Sequence, residues 1–93
     1  MRPYQALLQI EVSRGMFDHE RGISFCDTYG DQVQGIFPIS MIRDGRLEVL
    51  VIEEKGETVH IEAARGPGYE LHNRGRVWVP KGLVSRGTTA SRS

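Results

Sequence analysis

Four neighbouring residues, Asp18-His19-Glu20-Arg21, carry the side chains best suited to chemistry in this chain. A histidine between two carboxylates could act as a general base or as a metal ligand, because imidazole changes charge near neutral pH and binds metals well. Adjacent residues cannot all point at one atom, however, so the other members of such a site would have to come from elsewhere in the fold. We therefore predict a solvated turn here rather than a catalytic site.

The other candidate groups also lack the partners that catalysis or metal binding requires. His60 and Glu62 share one face of a predicted strand, but a zinc site needs three or four ligands. Cys26, close to Ile23 and Phe25, has no positive neighbour that would activate a thiolate, so we predict a small buried hydrophobic residue. The sequence therefore predicts no catalytic residue, no metal site and no cofactor.

Basic and aromatic side chains alternate in the C-terminal third of the chain. Residues 65–93 hold six Lys and Arg against one acidic residue, whereas residues 1–64 hold six against eleven. Bases stack on aromatic rings and phosphates attract Arg and Lys, so this region could contact a partner or a nucleic acid. The candidates are Arg65, Tyr69, His72, Arg74, Arg76 and Lys81, together with Trp78. The net charge of zero and the acidic first two-thirds of the chain leave nucleic acid as the alternative hypothesis.

Length and composition indicate one small domain. A chain of 93 residues and 10.5 kDa buries roughly 64% of its unfolded surface, which gives a core of marginal size that self-association would reinforce. No apolar run approaches the roughly 18 residues of a membrane span, and the first residues lack the layout of a signal peptide. A single cysteine excludes an internal disulfide, so we expect a cytoplasmic protein.

Alternation of apolar and polar residues with period two dominates the chain, and turn residues interrupt it every eight to twelve positions or so. This pattern predicts an all-β fold without a long helix. The predicted strands cover residues 4–13, 23–27, 33–38, 46–53, 58–64, 69–71 and 76–80. Asp44-Gly45 predicts a tight hairpin turn, because both residue types tolerate positive φ. The tail, residues 85–93, is predicted to be disordered.

Two segments about forty residues apart share one pattern. Residues 36–42 read Ile-Phe-Pro-Ile-Ser-Met-Ile, and residues 78–84 read Trp-Val-Pro-Lys-Gly-Leu-Val. Proline cannot donate to a strand ladder, so each strand should end at its proline and continue into a short 3₁₀ turn. A small SH3-like barrel of about six or seven short antiparallel strands over residues 1–84 fits these features, and an OB-type barrel is the alternative.

Three apolar side chains are candidates for a subunit interface. Leu47, Val49 and Val51 should face the core, so Leu50 and Ile52 on the same strand should point outward. They would be covered either by a loop or the tail, or by a second subunit. Trp78 would face outward if its neighbours face the core, and would then serve as an anchor for protein, nucleic acid or a ligand; with the opposite phase it would fill the core.

These observations favour a non-catalytic binding or assembly module that forms a homodimer or a higher oligomer. The alternatives are a nucleic-acid-binding barrel that uses the basic and aromatic C-terminal third, and a small ligand-binding or enzymatic barrel around Asp18, His19 and Glu20. A fold of this kind carries no activity of its own, so the partner has to be inferred from the surface.

Overall fold

The structure, a computed structural model, describes residues 2–15, 17–63 and 75–86. These residues form nine strands and two 3₁₀ turns, with no α-helix among them. The strands are β1 Tyr4–Gln9, β2 Glu11–Arg14, β3 Glu20–Cys26, β4 Gln32–Pro38, β5 Ile42–Arg43, β6 Arg46–Lys55, β7 Thr58–Glu62, β8 Arg76–Pro80 and β9 Val84–Arg86. The 3₁₀ turns are Ile39–Met41 and Lys81–Leu83.

The strands form two antiparallel sheets. The larger sheet has the order β8-β7-β6-β1-β9, with β5 also paired to β6, and the smaller sheet has the order β2-β3-β4. One apolar core receives side chains from both sheets, including Phe37, Leu8 and Leu47, which are fully buried. The all-β prediction is confirmed. The two sheets are not joined into a closed barrel by the ladders of the described strands.

Both proline segments adopt the predicted conformation. Pro38 and Pro80 end their strands in the extended conformation, with φ of −66° and −62°, and a 3₁₀ turn follows each of them. The chain then re-enters the larger sheet, at Ile42 in β5 and at Val84 in β9. We refer to these two segments as the corners. In both, the strand ends at the proline because proline has no N–H to donate to the ladder.

The two corners meet the same row of the larger sheet. Leu8 of β1 pairs with Leu47 of β6, Ile42 pairs with Leu47 from one side, and Val84 pairs with Leu8 from the other. Paired residues in a ladder point to the same face, so this row of aliphatic side chains crosses four strands within the core. The two corners therefore join opposite sides of one pair of strands, β6 and β1.

The hairpin turns follow the sequence closely. Asp44 and Gly45 both have positive φ, 50° and 76°, as a primed hairpin turn requires. Gly56, with φ of 63°, lies in the turn between β6 and β7, which form the predicted antiparallel hairpin.

The strand count exceeds the prediction because short segments pair independently. The predicted first strand divides at Ile10, whose N–H donates to the carbonyl of Gly45 at 3.3 Å, so that β1 joins the larger sheet and β2 the smaller one. The last strand runs to Arg86, two residues beyond the domain boundary that we predicted at 84. The predicted strand 69–71 and residues 87–93 of the predicted tail lie outside the described residues.

Candidate functional site

The outer face of the larger sheet, which is turned away from the core, carries an apolar strip across four strands. Leu7 pairs with Glu48, which places it diagonally opposite Leu50, and diagonal neighbours in a sheet lie within reach of long side chains. The strip consists of half-buried residues on β1, β6, β7 and β8, namely Leu7, Leu50, Ile52, His60 and Trp78. We refer to these residues as the outer strip.

A β-bulge lies in the middle of the outer strip. The pairing between β6 and β7 shifts register between Val51 and Glu53, so Ile52 is the extra residue at this point. Ile52 follows Leu50 on the outer face, and His60, which pairs with Glu53, lies on the adjacent strand. A bulge re-aims side chains and increases local twist, and here it leaves Ile52 without a partner in the register with β7.

Trp78 faces away from the core. Its neighbours Val77 and Val79 are buried in the core, so the phase of β8 is the one that places the indole outside. The Trp78 ring stacks on the His60 ring, with centroids 4.5 Å apart and planes 3° from parallel. The Trp78 carbonyl accepts a hydrogen bond from the Thr28 N–H at 2.9 Å, which ties the turn between β3 and β4 to β8.

Leu50 and Ile52 also point outward, as the alternation predicted, but both are half-buried rather than fully exposed. Neither belongs to the core or to the apolar residues packed against it. The larger exposed apolar side chains of the described residues lie elsewhere, on the smaller sheet, its hairpins and the first corner; they are Val12, Phe17, Tyr29, Ile36 and Ile39.

The basic candidates form ion pairs where the structure describes them. Arg76 Nε lies 3.5 Å from an oxygen of Glu62, and Lys81 Nζ lies 3.6 Å from an oxygen of Glu54. Such partly exposed pairs are weak. Each of them nevertheless places a carboxylate beside the cation, where the phosphate of a bound nucleic acid would have to lie. The candidates Arg65, Tyr69, His72 and Arg74 lie outside the described residues.

An open cleft of about 790 Å³ borders Trp78. One wall is the turn between β3 and β4, and the other is the outer face of β7 and β8; the lining residues are Asp27, Tyr29, Asp31, His60, Glu62, Arg76, Val77 and Trp78. Asp27 shapes the turn, because its Oδ1 accepts hydrogen bonds from the N–H groups of Tyr29 at 2.8 Å and Asp31 at 2.9 Å. The Tyr29 side chain is 77% exposed.

The segment Asp18-His19-Glu20-Arg21 runs from the turn between β2 and β3 into the first residues of β3. The His19 ring stacks on Phe17 with centroids 5.8 Å apart, and His19 Nε2 lies 3.8 Å from a carboxylate oxygen of Glu20. Arg21 Nη1 donates to the carbonyls of Asp18 and Glu20. The Arg21 side chain therefore closes the turn. Among the described residues, Glu20 is the one titratable residue that forms an ion pair with His19.

The cysteine and the metal candidates take ordinary positions. Cys26 is exposed at the end of β3, so our prediction of a buried residue was wrong. Alternation along β3 places Ile23 and Phe25 inward, and it turns Cys26, which directly follows Phe25, outward. His60 contacts Trp78, and Glu62 contacts Arg76. No group of three or more potential metal ligands occurs among the described residues.

A polar contact joins β1 to the end of β6. Tyr4 Oη donates to Glu54 Oε2 at 2.6 Å, and the Arg86 guanidinium lies 4.0 Å from the Tyr4 ring centroid. The hydrogen bond from Tyr4 is the main cause of a lowered pKa at Glu54, with Lys81 contributing. The same hydrogen bond is the main cause of a raised pKa at Tyr4, with burial contributing.

The sequence reasoning missed both the cleft and the Tyr4 contact. Tyr4 and Glu54 are 50 residues apart, and the turn that carries Tyr29 is separated from Trp78 by a similar distance along the chain. The one available signal was Asp27-Thr28-Tyr29-Gly30-Asp31 itself, a strong turn sequence with an exposed aromatic and two carboxylates.

Comparison of the chain with protein-family models, with curated proteins and with solved structures returns no match. Within the described ranges, no helix has the length and apolar character to cross a membrane. A functional proposal therefore depends on the chemistry of the outer strip and of the cleft.

Proposed function

We propose that this protein is a non-catalytic binding and assembly module that self-associates through the outer strip. The observation that carries the proposal is the line of apolar and aromatic side chains from Leu7 to Trp78 on the sheet face opposite the core. An antiparallel sheet with a solvated outer face normally alternates apolar and polar residues, so that its outer face is polar. Here the outer positions 50 and 52 of β6 are both aliphatic.

The finer fold assignment supports a module of this kind. We propose that the two sheets together represent a small SH3-like barrel, because the chain passes from β8 through a 3₁₀ turn into a last strand that pairs with β1. A small barrel has little interior and uses its surface to bind. We expect it to act in the cytoplasm, where a lone exposed cysteine stays reduced.

The charges beside the outer strip favour a second copy of the same chain as the partner. Arg43 and Glu48 form an ion pair with 2.8 Å between Nε and Oε2, and Arg76 and Glu62, which pairs with Leu50 in the ladder, form another beside the strip. A two-fold interface brings one surface against itself, so it must be self-complementary. A strip flanked by charges of both signs meets that requirement, whereas a strip flanked by one sign would repel its copy.

The nucleic-acid alternative draws less support from the described residues. Arg76 and Lys81, its two described basic candidates, are paired with glutamates. The enzymatic alternative rests on Asp18, His19 and Glu20, which lie in a turn closed by Arg21. Binding to single-stranded nucleic acid that weakens steeply with salt would favour the former.

The test is the mass of the protein across a dilution series, measured by sedimentation equilibrium. We expect an oligomer that dissociates on dilution, and we expect Leu50→Ser to raise the dissociation constant roughly thirtyfold, which corresponds to about 2 kcal/mol at a central apolar contact. Ile36→Ser is the matched control, because Ile36 is 41% exposed on the smaller sheet. A wild-type protein that is monomeric at every concentration, or equal effects of the two substitutions, would overturn the proposal.

A further inference from the structure

The cleft between the turn Asp27–Asp31 and Trp78 has the composition of a site for a cation. It is bordered by two aromatic side chains, Trp78 and Tyr29, and by three carboxylates, those of Asp27, Asp31 and Glu62. The faces of aromatic rings attract cations, tryptophan most strongly. Arg76, the cationic residue in the lining, is directed to Glu62.

Two of the three carboxylates have no cationic partner among the described residues. Asp27 Oδ1 accepts hydrogen bonds from two backbone N–H groups of its own turn, which leaves its second oxygen without a hydrogen-bond donor among the described residues. Asp31 forms no ion pair with any described residue, although its N–H and its carbonyl hold the turn. The negative charge of the cleft is therefore not neutralised within the described structure, and it adds to the acidic character of residues 1–64.

The turn is held in place against Trp78, so the cleft is built by the fold. The Thr28 N–H donates to the Trp78 carbonyl at 2.9 Å. Four further hydrogen bonds close the turn on Asp27: its N–H donates to the Asp31 carbonyl, its carbonyl accepts from the Gly30 N–H, and its Oδ1 accepts from two more N–H groups of the turn. His60 stacks on the Trp78 ring and fixes its orientation. A ligand would thus meet aromatic and acidic groups that are already positioned, which lowers the entropy lost on binding.

We propose that this cleft binds an arginine side chain of a basic peptide. A planar guanidinium can stack on an aromatic ring and donate two parallel hydrogen bonds to a carboxylate, whereas an ammonium is a compact, strongly hydrated charge. The cleft is open to solvent, so it suits one side chain of an extended peptide better than a small molecule that needs enclosure. The excess of acidic residues in residues 1–64 would speed the approach of a basic peptide.

This site can be tested separately from self-association through the outer strip, although the two surfaces overlap. The strip and the cleft share His60 and Trp78, but Tyr29 and Asp31 lie on the turn and outside the strip. Substitutions at these two positions should leave the oligomeric mass unchanged. Loss of peptide binding with an intact oligomer, and loss of the oligomer with intact peptide binding, are therefore separate results.

The test is a titration followed by tryptophan emission, because Trp78 is the single tryptophan of the chain and borders the cleft. The probes are a Gly-Arg repeat peptide, the matching Gly-Lys and Gly-Glu peptides, and a single-stranded oligonucleotide. We expect the Arg peptide to change the emission, the Lys peptide to bind more weakly, and added salt to weaken both. Asp27 is left unchanged because it shapes the turn.

Two variants and one control complete the experiment. Asp31→Asn should weaken binding of the Arg peptide about tenfold or more, as expected for a hydrogen bond to a charged group, and Tyr29→Ala should weaken it severalfold. Phe17→Ala, at an aromatic side chain that is 57% exposed on the β2–β3 turn, should have no effect. An equal response to the Glu peptide, a stronger response to the oligonucleotide, tighter binding of the Lys peptide, or no loss in Asp31→Asn would overturn the proposal.

Discussion

Leu47→Ala should be among the most damaging single substitutions in this fold. Leu47 is fully buried, and its partners in the register are Leu8 on one side and Ile42 on the other. The substitution removes about three carbon atoms, worth roughly 2.4 kcal/mol at about 0.8 kcal/mol per buried methylene. The cavity left between the two corners adds to this, so we expect a loss of about 3–4 kcal/mol in the free energy of unfolding.

The matched control is Leu50→Ala on the same strand. It makes the same chemical change in the same sheet, but Leu50 lies on the outer face and is half-buried. We expect a loss of about 1 kcal/mol or less in the monomer, because fewer contacts disappear and no closed cavity forms. Both variants lose the strand propensity of leucine, so the difference between their losses in the free energy of unfolding measures the contribution of core packing.

Urea unfolding of dilute protein, at a concentration where both variants are monomeric, measures this difference. With a slope of about 1–1.5 kcal/mol/M for a domain of this size, the midpoint should fall by roughly 2–4 M for Leu47→Ala and by less than about 1 M for Leu50→Ala. The whole domain is expected to have only about 5–14 kcal/mol of stability. If Leu47→Ala does not fold, Leu47→Val should still lose about 1 kcal/mol. Equal midpoints for the two alanine variants would refute the assignment of faces on β6.

Two further substitutions test local features. In Gly15→Ala the new Cβ would lie 2.6 Å from the carbonyl oxygen of Glu20, so the midpoint of thermal unfolding should fall. Gly22→Ala should be tolerated, because the closest atom to its new Cβ is a serine hydroxyl oxygen that can rotate away. Equal losses in the two variants would contradict this contrast. Tyr4→Phe removes the hydrogen bond that lowers the pKa of Glu54 and raises that of Tyr4, so the advantage of the wild type should be complete between the ordinary pKa values, 4.5 and 10.0. This stability advantage should be lost as pH falls through the lowered pKa of Glu54 and as pH rises through the raised pKa of Tyr4. Parallel profiles of stability against pH for the two proteins would argue against this role of the hydrogen bond.

Local sequence signals predicted the turns and the strand ends well. Pro38 and Pro80 each ended a strand and were followed by a 3₁₀ turn, because the missing N–H acts on the residue that carries it. Asp44-Gly45 predicted positive φ at both positions for the same local reason. Alternation on β8 offered two phases for Trp78, and only the packing of Val77 and Val79 against the rest of the core chose between them.

Long-range features could not be predicted in the same way. The break at Ile10 depends on the carbonyl of Gly45, and an uninterrupted apolar alternation through residues 4–13 gives no sign that the strand changes sheets. The exposure of Cys26 is a different case, because alternation after the buried Phe25 is enough to turn it outward. The cleft depends on the bond between Thr28 and Trp78, which no spacing in the sequence indicates.

The position of β8 in the larger sheet explains why Trp78 is available for binding. β8 stands at the end of the strand order, with β7 as its neighbour among the described strands, so the indole receives a stacking partner, His60, from one adjacent strand. On an interior strand, side chains from two neighbours would cover the ring from both sides. On β8 the turn that carries Tyr29 and Asp31 takes the place of the second neighbour, and a turn leaves an open cleft where a strand would leave none. The Trp78 ring therefore ends the outer strip and also borders the cleft, because it lies on the last strand in the described order of the sheet and its flanking valines are in the core.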